Sequence, residues 1–124
     1  MEGCEVNPVI HVVPRAWIKA AGLQEFMPAM PAFRCDRPYE LAAIADIELP
    51  MRNEGVTLDA NGFNRDRMMR ILMGIRVGDA LPPIDVEASD PGQRPYRLRA
   101  GFHRFYASLT CRFSHIPVDI VPRL

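Results

Sequence analysis

The sequence predicts a single α/β domain with an extra segment at its amino-terminal end. Short stretches rich in β-branched residues, bounded by proline, glycine or aspartate, indicate strands, and stretches with apolar residues at helical spacing indicate helices. The two kinds of stretch alternate from residue 44 onward. With 124 residues, of which 48% are hydrophobic, the chain can bury one core without disulfides or metals.

Residues 1–43 are predicted to form an extension that packs onto the main domain, residues 44–124, or onto a partner, including a second copy of the chain. A short apolar stretch at residues 9–13 is typical of a strand. Pro14 suits the first position of a helix that ends at Gly22. Three further prolines break up any longer element, and these are Pro28, Pro31 and Pro38.

The main domain begins with a strand and a helix. Residues 44–50 alternate apolar and polar side chains and end in proline, which predicts a half-exposed strand. A loop with Gly55 and Gly62 follows. Asn64 is a favourable N-cap for the next helix, and Gly78 suits its C′ position. The apolar face of this helix consists of Met68, Ile71, Leu72 and Ile75.

Three more strands are predicted, at residues 84–87, 96–100 and 116–121. Pro82 and Pro83 separate the first of them from the preceding helix. Residues 90–92 are Asp-Pro-Gly, which is typical of a tight turn and predicts a hairpin. Because proline cannot donate a ladder hydrogen bond, Pro117 places the last strand at a sheet edge or lies near its start.

The stretch from Arg99 to Ala107 predicts a strand that ends, turns on Gly101 and enters a helix with His103 and Arg104 in its first turn. A helix start leaves backbone N–H groups without partners and carries partial positive charge. An imidazole and a guanidinium added there suit a phosphate or a carboxylate. The helix also carries an apolar stripe that predicts core packing, formed by Phe102, Phe105, Tyr106 and Leu109.

Charge is unevenly distributed along the chain, although the net charge is zero. Residues 1–92 hold 14 acidic and 9 basic residues, a balance of −5, whereas residues 93–124 hold 1 acidic residue and 6 arginines, a balance of +5. Positive charge therefore gathers around the candidate anion site.

Three widely spaced cysteines argue against a disulfide framework and for a reducing compartment. The first residues lack the basic region of a signal peptide, and no apolar run approaches the ~18 residues that a membrane-spanning helix needs. We expect a cytoplasmic protein without a membrane partner.

Three motifs, taken in order, resemble the ParB and sulfiredoxin-like superfamily. They are LPPIDV at residues 81–86, GFHRF at residues 101–105 and IPV at residues 116–118. In that superfamily a strand and a helix precede a PPI strand, a hairpin, a G-x-[HR]-R turn into a helix and a final [IV]-P-V strand. The resemblance covers residues 44–122 and implies a small mixed sheet with two to three helices.

The turn is similar to the G-C-H-R signature of sulfiredoxins, with Phe102 in the place of the catalytic cysteine. A phenylalanine cannot act as a nucleophile, and Cys4, Cys35 and Cys111 do not lie at this turn. The resemblance therefore does not imply repair of sulfinic acids. The partition-protein branch has G-E-R-R at this turn, so Phe102 replaces its glutamate and His103 its first arginine.

Both branches hold a nucleoside triphosphate at this turn, and the resemblance implies the same ligand here. His103 and Arg104 would contact the phosphates, and Gly101 would allow close approach of the backbone. Arg65 and Arg67, at the start of the preceding helix, would add positive charge. ATP with Mg²⁺ is the ligand expected, and an ATPase or phosphotransferase is the activity expected of such a site.

Candidates for catalysis are Glu48, Asp85 and His103. Some members of the superfamily with kinase activity have an acid at the place of Glu48, and Asp85 with Glu87 could hold Mg²⁺ in the same cleft. The alternative interpretation is that the three carboxylates are ordinary exposed strand residues, and that the basic residues of the turn pair with acids or solvent.

Two other functions remain open from the sequence. Arg97 and Arg99 face outward from a hairpin strand and could follow a nucleic acid backbone, and a DNA-binding module or nuclease of plasmid or phage type is the second hypothesis. The third is a non-enzymatic interaction protein on the same fold, in which residues 1–43 bind the partner or form a homodimer.

Overall fold

The computed structural model describes residues 12–49, 62–90 and 94–122. The helices are α1 (Arg15–Ala20), α2 (Arg65–Val77) and α3 (Phe102–Thr110), and the strands are β1 (Glu40–Ala43), β2 (Ile47–Glu48), β3 (Ile84–Ala88), β4 (Tyr96–Ala100) and β5 (His115–Ile120). The strand predicted at residues 9–13, the turn at 90–92 and the loop around Gly55 fall largely outside the described residues.

The strands form one mixed sheet of five strands in the order β1-β5-β3-β4-β2. The pairs β1/β5 and β3/β4 are antiparallel, and the pairs β3/β5 and β2/β4 are parallel. A hydrogen bond of 3.0 Å from the N–H of Ser89 to the carbonyl of Pro95 closes the β3–β4 hairpin. This mixed sheet with three α-helices confirms the predicted fold class.

One buried apolar cluster joins the sheet to the helices. Its members with no exposed surface include Met68 and Leu72 of α2, Ile84 and Val86 of β3, Ala107 of α3 and Ile116 of β5. Trp17 and Phe33 belong to the same cluster, and β1 is a strand of the same sheet. The described part of residues 1–43 therefore contributes to the same core and the same sheet, while the division into an extension and a main domain, and a homodimer through residues 1–43, stay predictions.

Both ends of α2 have the caps that the sequence predicts. The side chain of Asn64 accepts a hydrogen bond from the N–H of Arg67, and Gly78 adopts the left-handed conformation with φ 81°. Pro14 lies at the N-cap of α1, one residue before the position predicted for it.

Among the described residues, no helix combines the length and the apolar character that crossing a membrane requires.

One prediction about strands needs correction, and another is decided between its two alternatives. Residues 44–50 do not form one strand, because a 3₁₀ turn at Ile44–Asp46 separates β1 from the two-residue strand β2. β5 lies between β1 and β3 and not at a sheet edge, and Pro117 is its third residue, which agrees with the other predicted alternative, a proline near the start of the strand.

The position of Pro117 has a physical reason. The N–H of Val121 donates to the carbonyl of Val86 on β3 at 2.7 Å. Because N–H groups alternate sides along a strand, the nitrogen of Pro117, four residues earlier, points to the same side but before β3 begins at Ile84. The missing donor therefore removes no hydrogen bond of the ladder.

Candidate functional site

A cleft of about 700 Å³ lies where the first turns of α2 and α3 meet the end of β4. Three arginines line it, which are Arg67, Arg99 and Arg104, and no described residue of the lining is acidic. The starts of α2 and α3 add partial positive charge to the same space, although two N–H groups of α2 already donate to Asn64 Oδ1 and His103 Nε2. The cleft is therefore suited to an anion.

Gly101 forms the turn between β4 and α3, and its conformation and close contacts disfavour any residue with a Cβ atom. Its φ is 104°, in the left-handed region, and a Cβ atom there would lie 2.5 Å from Cγ2 of Ile84. The carbonyl of Gly101 accepts the N–H of Phe105 at 2.9 Å, which starts α3. The glycine thus allows the sheet and the helix start to approach closely.

His103 lines the cleft but is only 7% exposed. Its Nε2 accepts the backbone N–H of Asn64 at 2.8 Å. The imidazole packs edge-on against Phe63, with 5.6 Å between ring centroids. Because an amide N–H can only donate, Nε2 must accept through its lone pair. In this arrangement Nε2 carries no proton and the imidazole is in its neutral form.

Arg104 is a partly buried cation with few hydrogen bonds. Its Nη2 donates to the carbonyl of Pro83 at 3.2 Å, and its Nε is buried without a hydrogen-bond partner among the described residues. Burial lowers the pKa of the guanidinium below its ordinary value, and the charge of Asp85 opposes this shift. Arginine nevertheless stays charged at neutral pH.

The two arginines predicted to add charge from the start of α2 differ in position relative to the cleft. Arg67 is exposed and lines the cleft, whereas Arg65 is exposed and is not among the described residues of the lining. The charges of Arg67 and Arg37 both lower the pKa of Arg104. Arg37, which bonds to Asp36 at 2.7 Å, was missed from the sequence because it lies in a proline-rich stretch far from the motifs.

The predicted carboxylates lie on β2 and β3 and are not among the described residues that line the cleft. Glu48 pairs with Arg97 at 3.7 Å, and Glu87, which is 8% exposed, pairs with Arg99 at 2.9 Å. The described ranges contain no group of three His, Cys, Asp or Glu residues that could hold a metal ion. A metal ion at Glu87 would compete with Arg99 for the carboxylate, and the magnesium site at Asp85 and Glu87 stays a prediction.

The cysteines of the described residues lie apart from the turn. Cys35 is partly buried and Cys111 is buried. Burial raises the pKa of the Cys111 thiol to about 12. Its thiolate is therefore scarce at neutral pH, and the thiol is unreactive.

A search of solved structures gives a match to the fold. The crystal structure of the C-terminally truncated chromosome-partitioning protein ParB from Caulobacter crescentus, complexed with CTP-gamma-S, matches with a TM-score of 0.54 and 19% sequence identity. The match covers 71% of this chain and 46% of that one, which is less than half of the truncated ParB chain.

No family model matches the chain, and no curated protein matches it either. The structural match shows that the fold is ParB-like. It confirms the ParB-like fold that the resemblance in the sequence implies, whereas the likeness of the turn to sulfiredoxins stays a prediction.

Proposed function

We propose that this chain binds the phosphates of a nucleoside triphosphate in the cleft between α2 and α3. The observation that carries the proposal is the side chain of Arg104, a partly buried cation whose Nε is itself buried and has no hydrogen-bond partner among the described residues. The ParB structure with a similar fold holds a CTP analogue, which supports a nucleotide as the ligand.

The electrostatics of Arg104 favour an anion. Removing a guanidinium from water costs free energy unless it is paired and hydrogen-bonded. Its bond to the carbonyl of Pro83 satisfies one donor. The neighbouring charges are mixed, since Asp85 and Asp36 stabilise the cation whereas Arg37 and Arg67 repel it. A phosphate in the cleft would offset this repulsion and offer acceptors in the geometry that guanidinium groups bind best.

The two other arginines of the cleft differ in how freely they could serve a ligand. Arg67 is exposed at the cleft wall, so its long side chain can reach a phosphate from the side of α2. Arg99 shares its charge with Glu87, and its contribution to anion affinity is correspondingly smaller. We assign the main phosphate contacts to Arg104 and Arg67.

The proposed activity is binding. Phosphoryl transfer depends on positioning and on neutralising charge, usually with Mg²⁺ and a residue that orients the nucleophile. The candidate acids Glu48, Asp85 and Glu87 are not among the described residues of the lining. An ATPase or phosphotransferase activity thus has less support than binding, and Mg²⁺ would enter with the triphosphate.

DNA binding is not proposed as a second function. Its candidates, Arg97 and Arg99, are each paired with a glutamate. These pairs reduce the positive charge that a nucleic acid backbone would meet.

Titration of the ¹⁵N-labelled protein with ATP, CTP and inorganic tripolyphosphate tests the proposal, with adenosine and cytidine as ligands that lack phosphate. We expect the three phosphate compounds to shift the amide signals of residues 65–67 and 101–104, and the nucleosides to leave them unchanged. The difference between ATP and CTP then reports base preference. Shifts confined to other residues, or none with any triphosphate, would contradict the proposal.

A further inference from the structure

The N-terminal cap of α2 is incomplete within its own helix. Asn64 is the N-cap, and its Oδ1 accepts the N–H of Arg67 at 2.9 Å. In a capping box the side chain at this third helical position accepts a hydrogen bond from the backbone N–H of the N-cap residue. Arginine has no acceptor atom, so Arg67 cannot do so.

His103 supplies the missing acceptor from a different helix. Its Nε2 receives the N–H of Asn64 at 2.8 Å, across 39 positions in the sequence. This N–H is one of the donors that a helix start leaves unsatisfied. The imidazole is held by packing against Phe63 and Phe102, with ring centroids 5.6 and 5.8 Å away.

We infer that His103 is a positioning residue: as a neutral imidazole it completes the cap of α2 from α3, and this leaves the third helical position to an arginine that lines the cleft. The capping role is independent of ligand binding. The second part, that Arg67 serves the phosphates from this position, rests on the proposed function.

The arrangement resolves a conflict between two requirements of α2. A capping box would place a glutamate or glutamine at position 67 and satisfy the Asn64 N–H locally, and a glutamate would bring negative charge to the cleft wall. Capping by His103 instead satisfies the same donor and keeps Arg67 beside the cleft. It also ties together the two helix starts that bound the proposed site.

Direct detection of the hydrogen bond uses the unmodified protein. In the ¹⁵N-labelled chain at pH about 8, where an ordinary histidine is neutral, we expect a scalar coupling across the bond between the Asn64 amide nitrogen and Nε2 of His103. The Nε2 shift should be that of a nitrogen without a proton. A protonated Nε2, or no coupling to Asn64, would overturn the inference.

A double-mutant cycle tests the capping role by urea unfolding. His103→Ala should lower the folding equilibrium constant about five-fold or more, as loss of a cap does. Arg67→Gln in that background should recover part of the loss, because glutamine at position 67 can accept the Asn64 N–H. In the wild-type background Arg67→Gln should give no gain in stability, because the Asn64 N–H already donates to His103.

Arg67→Ala is the matched control, since alanine removes the arginine without adding an acceptor. It should give no recovery in the His103→Ala background. Equal effects of Arg67→Gln in both backgrounds, or equal recovery of stability by Arg67→Ala, would overturn the inference.

If His103→Ala does not fold, His103→Gln replaces it. This variant keeps an acceptor, and it should fold with the Asn64 amide still protected from hydrogen exchange. Loss of that protection would count against capping.

Tripolyphosphate binding separates this inference from the proposed function. The double variant His103→Ala/Arg67→Gln should regain stability but not affinity, because the guanidinium of Arg67 is gone. If the double-mutant cycle shows coupling but the wild-type protein binds no triphosphate, the proposed function is wrong and the capping role of His103 is supported. If the wild-type protein binds triphosphate but the effects on stability are additive, only the capping role is wrong.

Discussion

A Cβ atom on Gly101 would lie 2.5 Å from Cγ2 of Ile84 and 2.8 Å from its Cβ. This contact joins the start of β3 to the turn before α3, and it fixes how closely the helix start approaches the sheet. The geometry of the proposed phosphate site therefore depends on the absence of a side chain at position 101.

Gly101→Ala should destabilise the protein by about 2–4 kcal/mol, from the left-handed backbone and from overpacking against Ile84. Gly78→Ala is the matched control, because Gly78 has φ 81° with no atom within 4 Å of a Cβ, and it should cost only about 1 kcal/mol. Urea unfolding measures both. Equal losses at the two positions would show that the contact with Ile84 is unimportant.

Asn64→Asp should separate stability from ligand affinity. The aspartate keeps an acceptor at the N-cap and adds negative charge at a helix start, so stability should be unchanged or higher by about 0.3–1 kcal/mol. Position 64 lines the cleft, so the negative charge of the aspartate would repel the phosphates, and affinity for tripolyphosphate should fall about ten-fold. Asn64→Ser, which caps without charge, should keep both properties. An aspartate variant with undiminished affinity would place the anion elsewhere.

Glu87→Gln should raise anion affinity while lowering stability. Loss of the charged bond to Arg99 at 2.9 Å should cost about 1–3 kcal/mol. Arg99 would then present its full charge to the cleft, and tripolyphosphate should bind about three- to ten-fold more tightly.

Glu48→Gln is the control for that change, since Glu48 pairs with Arg97 at 3.7 Å and neither residue is among the described lining of the cleft. It should change stability by less than about 1 kcal/mol and leave affinity unaltered. Unfolding and calorimetric titration of both variants make the comparison. Equal gains in affinity would mean that only net charge matters.

Cys111 should make stability fall with pH in alkaline solution. Burial raises the pKa of its thiol from 9.0 to about 12, so above pH 9 the unfolded chain loses this proton before the folded one does. The free energy of unfolding contributed by this group should decrease between pH 9 and about 12.

Comparison with Cys111→Ala over this pH range isolates the contribution of the thiol. In native protein Cys111 should also resist alkylation until the chain unfolds, which peptide mapping after iodoacetamide treatment detects. Parallel pH profiles for wild type and variant, or rapid alkylation of native Cys111, would contradict the burial of this thiol.

The sequence predicted those parts of the fold that depend on local chemistry. Asn64 and Gly78 mark the ends of α2 because capping and left-handed conformations are properties of single residues. Gly101 marked the turn for the same reason. The break at Ile44–Asp46 was missed because strand alternation continues through a single 3₁₀ turn.

The pairing of candidate site residues could not be predicted, because it depends on contacts between distant parts of the chain. His103 and Asn64 are 39 positions apart, and the motif suggested only that His103 is basic and near a helix start. Glu87 and Arg99 meet because β3 and β4 are antiparallel neighbours. Strand register was needed to see that Glu87, a candidate metal ligand, and Arg99, a candidate for nucleic acid contact, form an ion pair with each other.

Calorimetric titration of folded Arg104→Ala with ATP, CTP and tripolyphosphate decides whether the cleft is a phosphate site. Arg70→Ala is the matched control, since Arg70 is an exposed arginine of α2 that is not among the described residues of the lining. We predict that Arg104→Ala loses about 30-fold or more in affinity and that Arg70→Ala binds like wild type. Equal affinities of Arg104→Ala and wild type, or equal losses in both variants, would contradict binding at Arg104.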